Sequence, residues 1–151
     1  MFDTLVTSLC RDLGLNAPAG GNDGAFYLQV SDLEIGLLEE TANESVILQC
    51  TVGNLGAEQR PGLFMELCEA NYYWGATNGA TLSFNAASGD VVLLREWSLA
   101  GLDAARLAKL LEGFVVAAEF WRDRLAARAE TAPAARSGTV PFNPLATHMR
   151  V

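Results

Sequence analysis

Apolar residues recur at helical spacing in three parts of the chain, and this pattern predicts three helices. The first runs from Thr4 to Leu13, the second covers residues 63–74, and the third runs from Asp103 to near Arg128. Asp3 and Gly14 flank the first segment, and these residue types commonly begin and end helices. The apolar stripe of the third helix consists of Leu107, Leu110, Leu111, Phe114, Ala118, Trp121 and Leu125.

Between the helices the apolar period changes to two, which predicts β-strands. A hairpin is expected over residues 26–37 and a third strand over residues 45–52. After the second helix, a second hairpin pairs residues 80–85 with residues 91–99. The order is therefore α-β-β-β-α-β-β-α, which predicts an α+β fold with a twisted antiparallel sheet packed against helices.

The length of 151 residues fits one compact domain whose core needs no disulfide or metal ion. We expect residues 1–129 to form this domain. Residues 130–151 hold three of the five prolines and show no sustained period, so they predict a flexible C-terminal tail.

The charge of the chain restricts its partners. The net charge is -8 at pH 7, so the average field repels nucleic-acid phosphates and anionic lipid head groups and favours a basic or apolar polypeptide. No apolar run approaches the roughly 20 residues that a membrane-spanning helix needs. The N-terminus lacks the basic and apolar regions of a signal peptide, so we expect a cytoplasmic protein.

Candidate catalytic and metal-binding groups are sparse. The three cysteines, Cys10, Cys50 and Cys68, are widely spaced and His148 is the one histidine, which disfavours a disulfide framework and a zinc site. A nucleophilic pair would need Cys50 or Cys68 together with His148 in the predicted tail. We therefore predict a protein without enzymatic activity, catalytic residues, cofactor or metal ion.

The first predicted hairpin is acidic. A carboxylate pair there could bind a cation or act as acid and base, but the spacing matches no metal-binding loop. A solvated edge that resists aggregation explains these charges more simply. The acidic residues are Asp32, Glu34, Glu39, Glu40 and Glu44.

Three adjacent aromatic residues, Tyr72, Tyr73 and Trp74, end the second predicted helix. On a helix they point about 100° apart, so they cannot all face one core. Either the helix lies between its own sheet and the third helix, or some of this surface meets a partner. Tyrosine and tryptophan are enriched at interfaces, which favours a partner surface. A helix that is apolar on two sides suggests an obligate homodimer.

Five short motifs follow one another in the second half of the chain. They lie at residues 69–71 (EAN), 75–82 (GATNGATL), 88–93 (SGDVVL) and 99–103 (LAGLD), and at Trp121. In this order and spacing the chain resembles class I type III secretion chaperones of the CesT-like family. The motifs cover roughly residues 63–128, and the predicted order of elements agrees with the family fold over residues 1–128.

The resemblance implies an acidic homodimer in the bacterial cytoplasm that binds the N-terminal segment of a secreted effector protein. The effector stays extended, which keeps it soluble and competent for secretion. In such families the second helix and the neighbouring late strands form the dimer. Carried onto this sequence, this implies interface residues Leu67, Asn71, Tyr72, Trp74, Val92 and Leu94.

The effector-binding grooves would then fall to the first helix and the first sheet. The candidate groove residues are Leu5, Leu9, Phe26, Leu28, Ile35 and Leu37. Each could equally belong to the core, because about half of the side chains of a strand must face it. An effector could also pair its backbone with an exposed strand, which requires no catalytic group. A regulatory module of similar fold that binds a different, folded protein stays open as an alternative.

Overall fold

The structure, a computed structural model, describes residues 1–16, 18–21, 23–56 and 61–130. The helices are α1 (Phe2–Leu13), α2 (Pro61–Asn71) and α3 (Ala104–Glu130), and a 3-10 segment, η1 (Tyr72–Thr77), follows α2. The strands are β1 (Ala19–Gly20), β2 (Ala25–Val30), β3 (Leu33–Glu40), β4 (Ser45–Asn54), β5 (Thr81–Asn85) and β6 (Asp90–Ser98). The predicted tail lies outside the described residues from residue 131 onward.

The strands form one antiparallel sheet in the order β1-β2-β3-β4-β6-β5. The predicted α+β fold is confirmed, and the predicted order of elements holds except for β1. This two-residue strand pairs with Phe26 and Tyr27 of β2. The sequence pattern did not predict it, because two residues are too few to show an apolar period of two.

The three helices pack against one face of the sheet. Along β4, Val46, Leu48, Cys50 and Val52 are buried, whereas the three residues between them are not. The buried strand residues form one core cluster with residues of α1, α2 and α3. The other face of the sheet, here called the open face, carries no helix within the part of the chain that the structure describes.

The second predicted helix is too long. It ends at Asn71 rather than at residue 74, because Tyr73 and Trp74 have φ values of 53° in the left-handed region. Two residues fasten the segment that follows to α3. The Trp121 indole Nε1 donates to the Ala76 carbonyl oxygen at 2.9 Å, and Asn78 Nδ2 donates to the carbonyl oxygen of Gly113 at 3.0 Å.

Candidate protein-binding surfaces

The six residues predicted to line effector-binding grooves lie on α1, β2 and β3. Five are buried in the core, and Leu5 is partly buried against it. α1 contacts this part of the sheet through Phe2, whose ring meets the ring of Phe26 edge to face with centroids 5.7 Å apart. The burial of these residues favours the alternative that they belong to the core. Their role in effector contact stays a prediction. The five buried residues are Leu9, Phe26, Leu28, Ile35 and Leu37.

The residues predicted for a dimer interface separate into three environments. Leu67 is a core residue with 5% of its surface exposed. Val92 and Leu94 are half-buried, and their positions alternate with the buried Val91 and Leu93, which places them on the open face. The remaining three residues surround the end of α2.

Tyr72 and Trp74 are exposed by 76% and 52%. The Trp74 indole Nε1 donates to Thr81 Oγ1 at 3.3 Å, and Thr81 pairs with Leu94 across β5 and β6. The turn therefore places Trp74 beside the end of the open face that carries Leu94. We call the surface formed by Tyr72, Tyr73, Trp74, Val92 and Leu94 the aromatic edge.

The left-handed backbone of η1 exposes these rings. Tyr73 and Trp74 are bulky residues, for which a positive φ is an outlier that costs roughly 1–2 kcal/mol each. The Tyr72 and Tyr73 rings stack edge to face with centroids 4.6 Å apart and remain largely exposed. Such strain is found where a surrounding structure enforces it, often at functional sites.

Asn71 has a role that the sequence did not reveal. Its Oδ1 accepts the backbone N–H of Leu82 at 2.8 Å, and its Nδ2 donates to the carbonyl oxygen of the same residue at 3.0 Å. The side-chain amide thus takes the place of a neighbouring strand on β5, which is an edge strand of the sheet. Asn71 fixes the end of α2 to β5 and satisfies part of that exposed edge.

A second apolar surface runs along the outside of α3, and sequence reasoning missed it. Val116 and Phe120 are exposed by 62% and 52% and stand one turn apart. Both fall outside the apolar stripe predicted for this helix. Apolar residues left over beside a complete buried stripe were the signal that could have revealed this surface.

Three open depressions flank these two side chains. The largest, about 520 Å³, lies between the end of α1, the end of β2 and α3, and Val116 forms part of its wall. A second, about 330 Å³, lies between η1 and α3 and shares Val116 and Phe120. A third, about 430 Å³, continues from Phe120 toward the end of α3. We call this continuous surface the α3 path.

The largest depression of the α3 path is mainly apolar. Its lining includes one cation and one anion, Lys109 and Glu112. The other lining residues are Leu13, Leu15, Val30, Ala108, Leu111, Val115 and Val116.

Ion pairs hold α3 to its neighbours. Glu66 of α2 accepts hydrogen bonds from Arg124 and, at 2.9 Å, from Arg128. On another side of the helix, Arg122 pairs with Asp32 in the β2–β3 turn. Hydrogen bonding to Asp123 and, less strongly, to Asp32 raises the pKa of Arg122. Asp32, one carboxylate of the acidic hairpin, therefore acts as a surface ion-pair partner.

The two candidate catalytic thiols lie in different environments. Cys50 is buried, and burial raises the pKa of its thiol to about 11, so it stays protonated at neutral pH. Cys68 is exposed on α2, and His148 lies outside the described residues. Within the described ranges, no group of three His, Cys, Asp or Glu side chains could hold a metal ion. No described helix is both long and apolar enough to span a membrane.

Comparison with known proteins gives structural neighbours but no sequence match among curated proteins. A chain of the crystal structure of the ExsC–ExsE complex superposes with a TM-score of 0.70 at 22% identity, covering 82% of this chain and 92% of that one. A chain of the HopA1–SchA chaperone–effector complex superposes with a TM-score of 0.65 at 17% identity, covering 81% of this chain and 93% of that one. A chain of the ExoU–SpcU complex from the type III secretion system of Pseudomonas aeruginosa superposes with a TM-score of 0.60 at 18% identity, covering 81% of this chain and 95% of that one.

These likenesses show a shared fold. The family model of the Tir chaperone protein (CesT) family matches residues 4–122, which is most of the chain. The resemblance recognised from the motifs is thereby confirmed. The chain belongs to the Tir chaperone protein (CesT) family.

Proposed function

We propose that this protein is a non-enzymatic chaperone of the bacterial cytoplasm that binds an extended N-terminal segment of a type III secretion effector. Binding keeps the effector soluble and competent for secretion. The observation that carries this proposal is the α3 path, where Val116 and Phe120 stand exposed between apolar depressions. Family membership and the chaperone–effector complex among the structural neighbours support it.

An extended client fits the shape of the α3 path. The path reaches from Ala108 to Arg128, and 20 residues of helix span about 30 Å. That length would accommodate about nine residues of extended chain. Because a fully buried apolar side chain contributes about 1.5–3 kcal/mol, covering the half-exposed Val116 and Phe120 contributes about 1 kcal/mol each. Several client side chains must therefore act together.

The proposed chaperone acts as a homodimer that associates through the aromatic edge. Tyr72, Tyr73 and Trp74 are exposed by 76%, 79% and 52%. At about 200 Å² per aromatic side chain, they offer roughly 400 Å² of surface. A standard interface buries about 800 Å² on each partner, so these rings supply about half and form its centre.

Coexpression with the N-terminal ~100 residues of candidate secreted proteins tests this function, a length that suits a wrapped disordered segment. Light scattering should give two chaperone chains per client segment, and the segment should resist protease only in the complex. A client-free monomer at micromolar concentration would contradict the dimer. Capture of a compact folded domain would instead favour a regulatory protein-binding module.

A matched pair of substitutions tests the proposed surface. Phe120→Asp removes apolar contact and puts a charge on the α3 path, so it should weaken client binding by about tenfold or more. The protein should stay folded, because the side chain is half-exposed. Ala126→Asp adds the same charge at an exposed position of α3 that lines none of the three depressions. Equal client binding by the two variants would remove the α3 path as the binding surface.

A further inference from the structure

The chain carries its own apolar segment beyond α3. Residues 139–145 read Thr-Val-Pro-Phe-Asn-Pro-Leu, with Val140, Phe142 and Leu145 as large apolar side chains. Each of its two prolines fixes its own φ angle and disfavours the helical region at the residue before it, which lowers the entropy that such a sequence loses when it docks on a surface. Such a segment has the chemistry of the extended client proposed for the α3 path.

We propose that residues 139–145 of this chain dock on the α3 path of the same chain. Charge favours this occupant. All eighteen acidic residues precede Thr131 and two of the ten basic residues, Arg136 and Arg150, follow it. The part before Thr131 therefore carries -10 and the part from Thr131 onward carries +2. Opposite charge attracts the part from Thr131 onward to the body of the protein as a whole. The lining of the α3 path carries both signs, because Lys109, Arg124 and Arg128 stand beside Glu112 and Asp123.

The connection is long enough. The last described residue, Glu130, ends α3 close to the third depression. Val116 lies fourteen residues earlier on the helix, or about 21 Å back along its axis. The ten residues from Glu130 to Val140 can span at most about 35 Å when extended. Residues 139–145 can therefore reach Val116 and Phe120 after a reversal of chain direction.

Docking within one chain needs little intrinsic affinity. A short tether gives an effective concentration in the millimolar range, so a contact with a millimolar dissociation constant is already about half occupied. The segment would then cover Val116 and Phe120 until a tighter ligand displaces it. That the displacing ligand is an effector rests on the proposed function, whereas docking itself does not.

Disulfide trapping in the full chain tests the docking without any client. In a Cys68→Ser background, which removes the exposed native thiol, Glu112→Cys is combined with Asn143→Cys. Glu112 lines the largest depression, and Asn143 leaves Val140, Phe142 and Leu145 intact. With oxidised glutathione as the oxidant, we expect an intramolecular disulfide, identified by peptide mass, in most molecules.

The matched control combines Ala126→Cys with Asn143→Cys. Position 126 is exposed, lies off the α3 path and is much nearer to the tether, about 6 Å from the end of α3 compared with about 27 Å for position 112. Random encounters of a free tail therefore favour the control pair. Docking brings Asn143→Cys close to position 112 instead. We therefore expect the pair with Glu112→Cys to form its disulfide about tenfold faster than the pair with Ala126→Cys.

Adding Phe142→Ser and Leu145→Ser to the Glu112→Cys pair removes two apolar anchors and should slow trapping about tenfold. Faster trapping of the Ala126→Cys pair, or no effect of the serine substitutions, would overturn the proposal. Disulfides formed mainly between two chains would also overturn it, because the segment would then dock on a second copy. Since no client is present, failure here leaves the proposed chaperone function standing, and failure of client binding leaves the trapping result standing.

Discussion

Replacing Asn71 by alanine removes the side chain that joins the end of α2 to β5. The change breaks two hydrogen bonds with the backbone of Leu82, at 2.8 and 3.0 Å. Each hydrogen bond contributes a net of about 0.5–1.5 kcal/mol, so the free energy of unfolding should fall by about 1–3 kcal/mol. Asn71 is only partly buried, so water can replace part of the lost hydrogen bonding at the exposed edge. We therefore expect the free energy of unfolding to fall by about 2 kcal/mol.

Urea unfolding, followed by tryptophan fluorescence, measures this loss. With a slope of about 2 kcal/mol per molar urea, a loss of 2 kcal/mol lowers the midpoint by about 1 M. The matched control is Asn43→Ala, in the exposed turn between β3 and β4, which should change stability by less than about 0.5 kcal/mol. All variants are compared at one protein concentration, because self-association would make the midpoint depend on concentration.

A second substitution, Asn71→Asp, identifies the mechanism. Aspartate keeps an acceptor for the Leu82 N–H but loses the donor to the Leu82 carbonyl oxygen, where a carboxylate oxygen would be repelled. We therefore expect Asn71→Asp also to destabilise the protein at pH 7. If Asn71→Ala proves no more destabilising than Asn43→Ala, the edge-bridging role is refuted, and the interface role predicted from the sequence would be the better account.

Two further predictions concern the cysteines. Because Cys10 and Cys50 are buried and Cys68 is exposed, a thiol reagent should modify one cysteine per folded chain at once and all three after unfolding; rapid modification of two or more would contradict the packing. Burial raises the pKa of Cys50 from 9.0 to about 11, so the folded state holds this proton more tightly than the unfolded state. Stability should therefore fall as pH rises from 9 to 11, by about 2 kcal/mol at pH 11. Urea titrations across this pH range should show a smaller fall in the free energy of unfolding for Cys50→Ala than for the unchanged protein. An equal fall in both would assign the loss of stability at alkaline pH to other groups.

Local sequence determined the elements and the family. Periods of 3.6 and 2 identified α1, α3 and five of the six strands, because each pattern reports which side of one element faces apolar surroundings. The motifs between residues 69 and 103 identified the chaperone family, and the family model confirms it. The end of α2 was predicted wrongly, because its cause is not local. Hydrogen bonds to distant residues fix both ends of this segment, from Leu82 to Asn71 and from Trp121 to Ala76. Between these two points, Tyr73 and Trp74 adopt left-handed backbone conformations.

Only the tertiary structure decided which apolar residues are accessible. Leu28 and Ile35 on the strands, like Val116 and Phe120 on α3, are apolar residues in elements that the sequence identified correctly. The first two lie in the core cluster that the strands form with the helices, whereas Val116 and Phe120 stay more than half exposed. A period shows that one side of an element is apolar, but burial depends on which other element packs there, and that is settled by contacts between residues far apart in the chain. The sequence therefore predicted a protein-binding α+β domain, and the fold decided that its uncovered apolar surfaces are the aromatic edge and the α3 path.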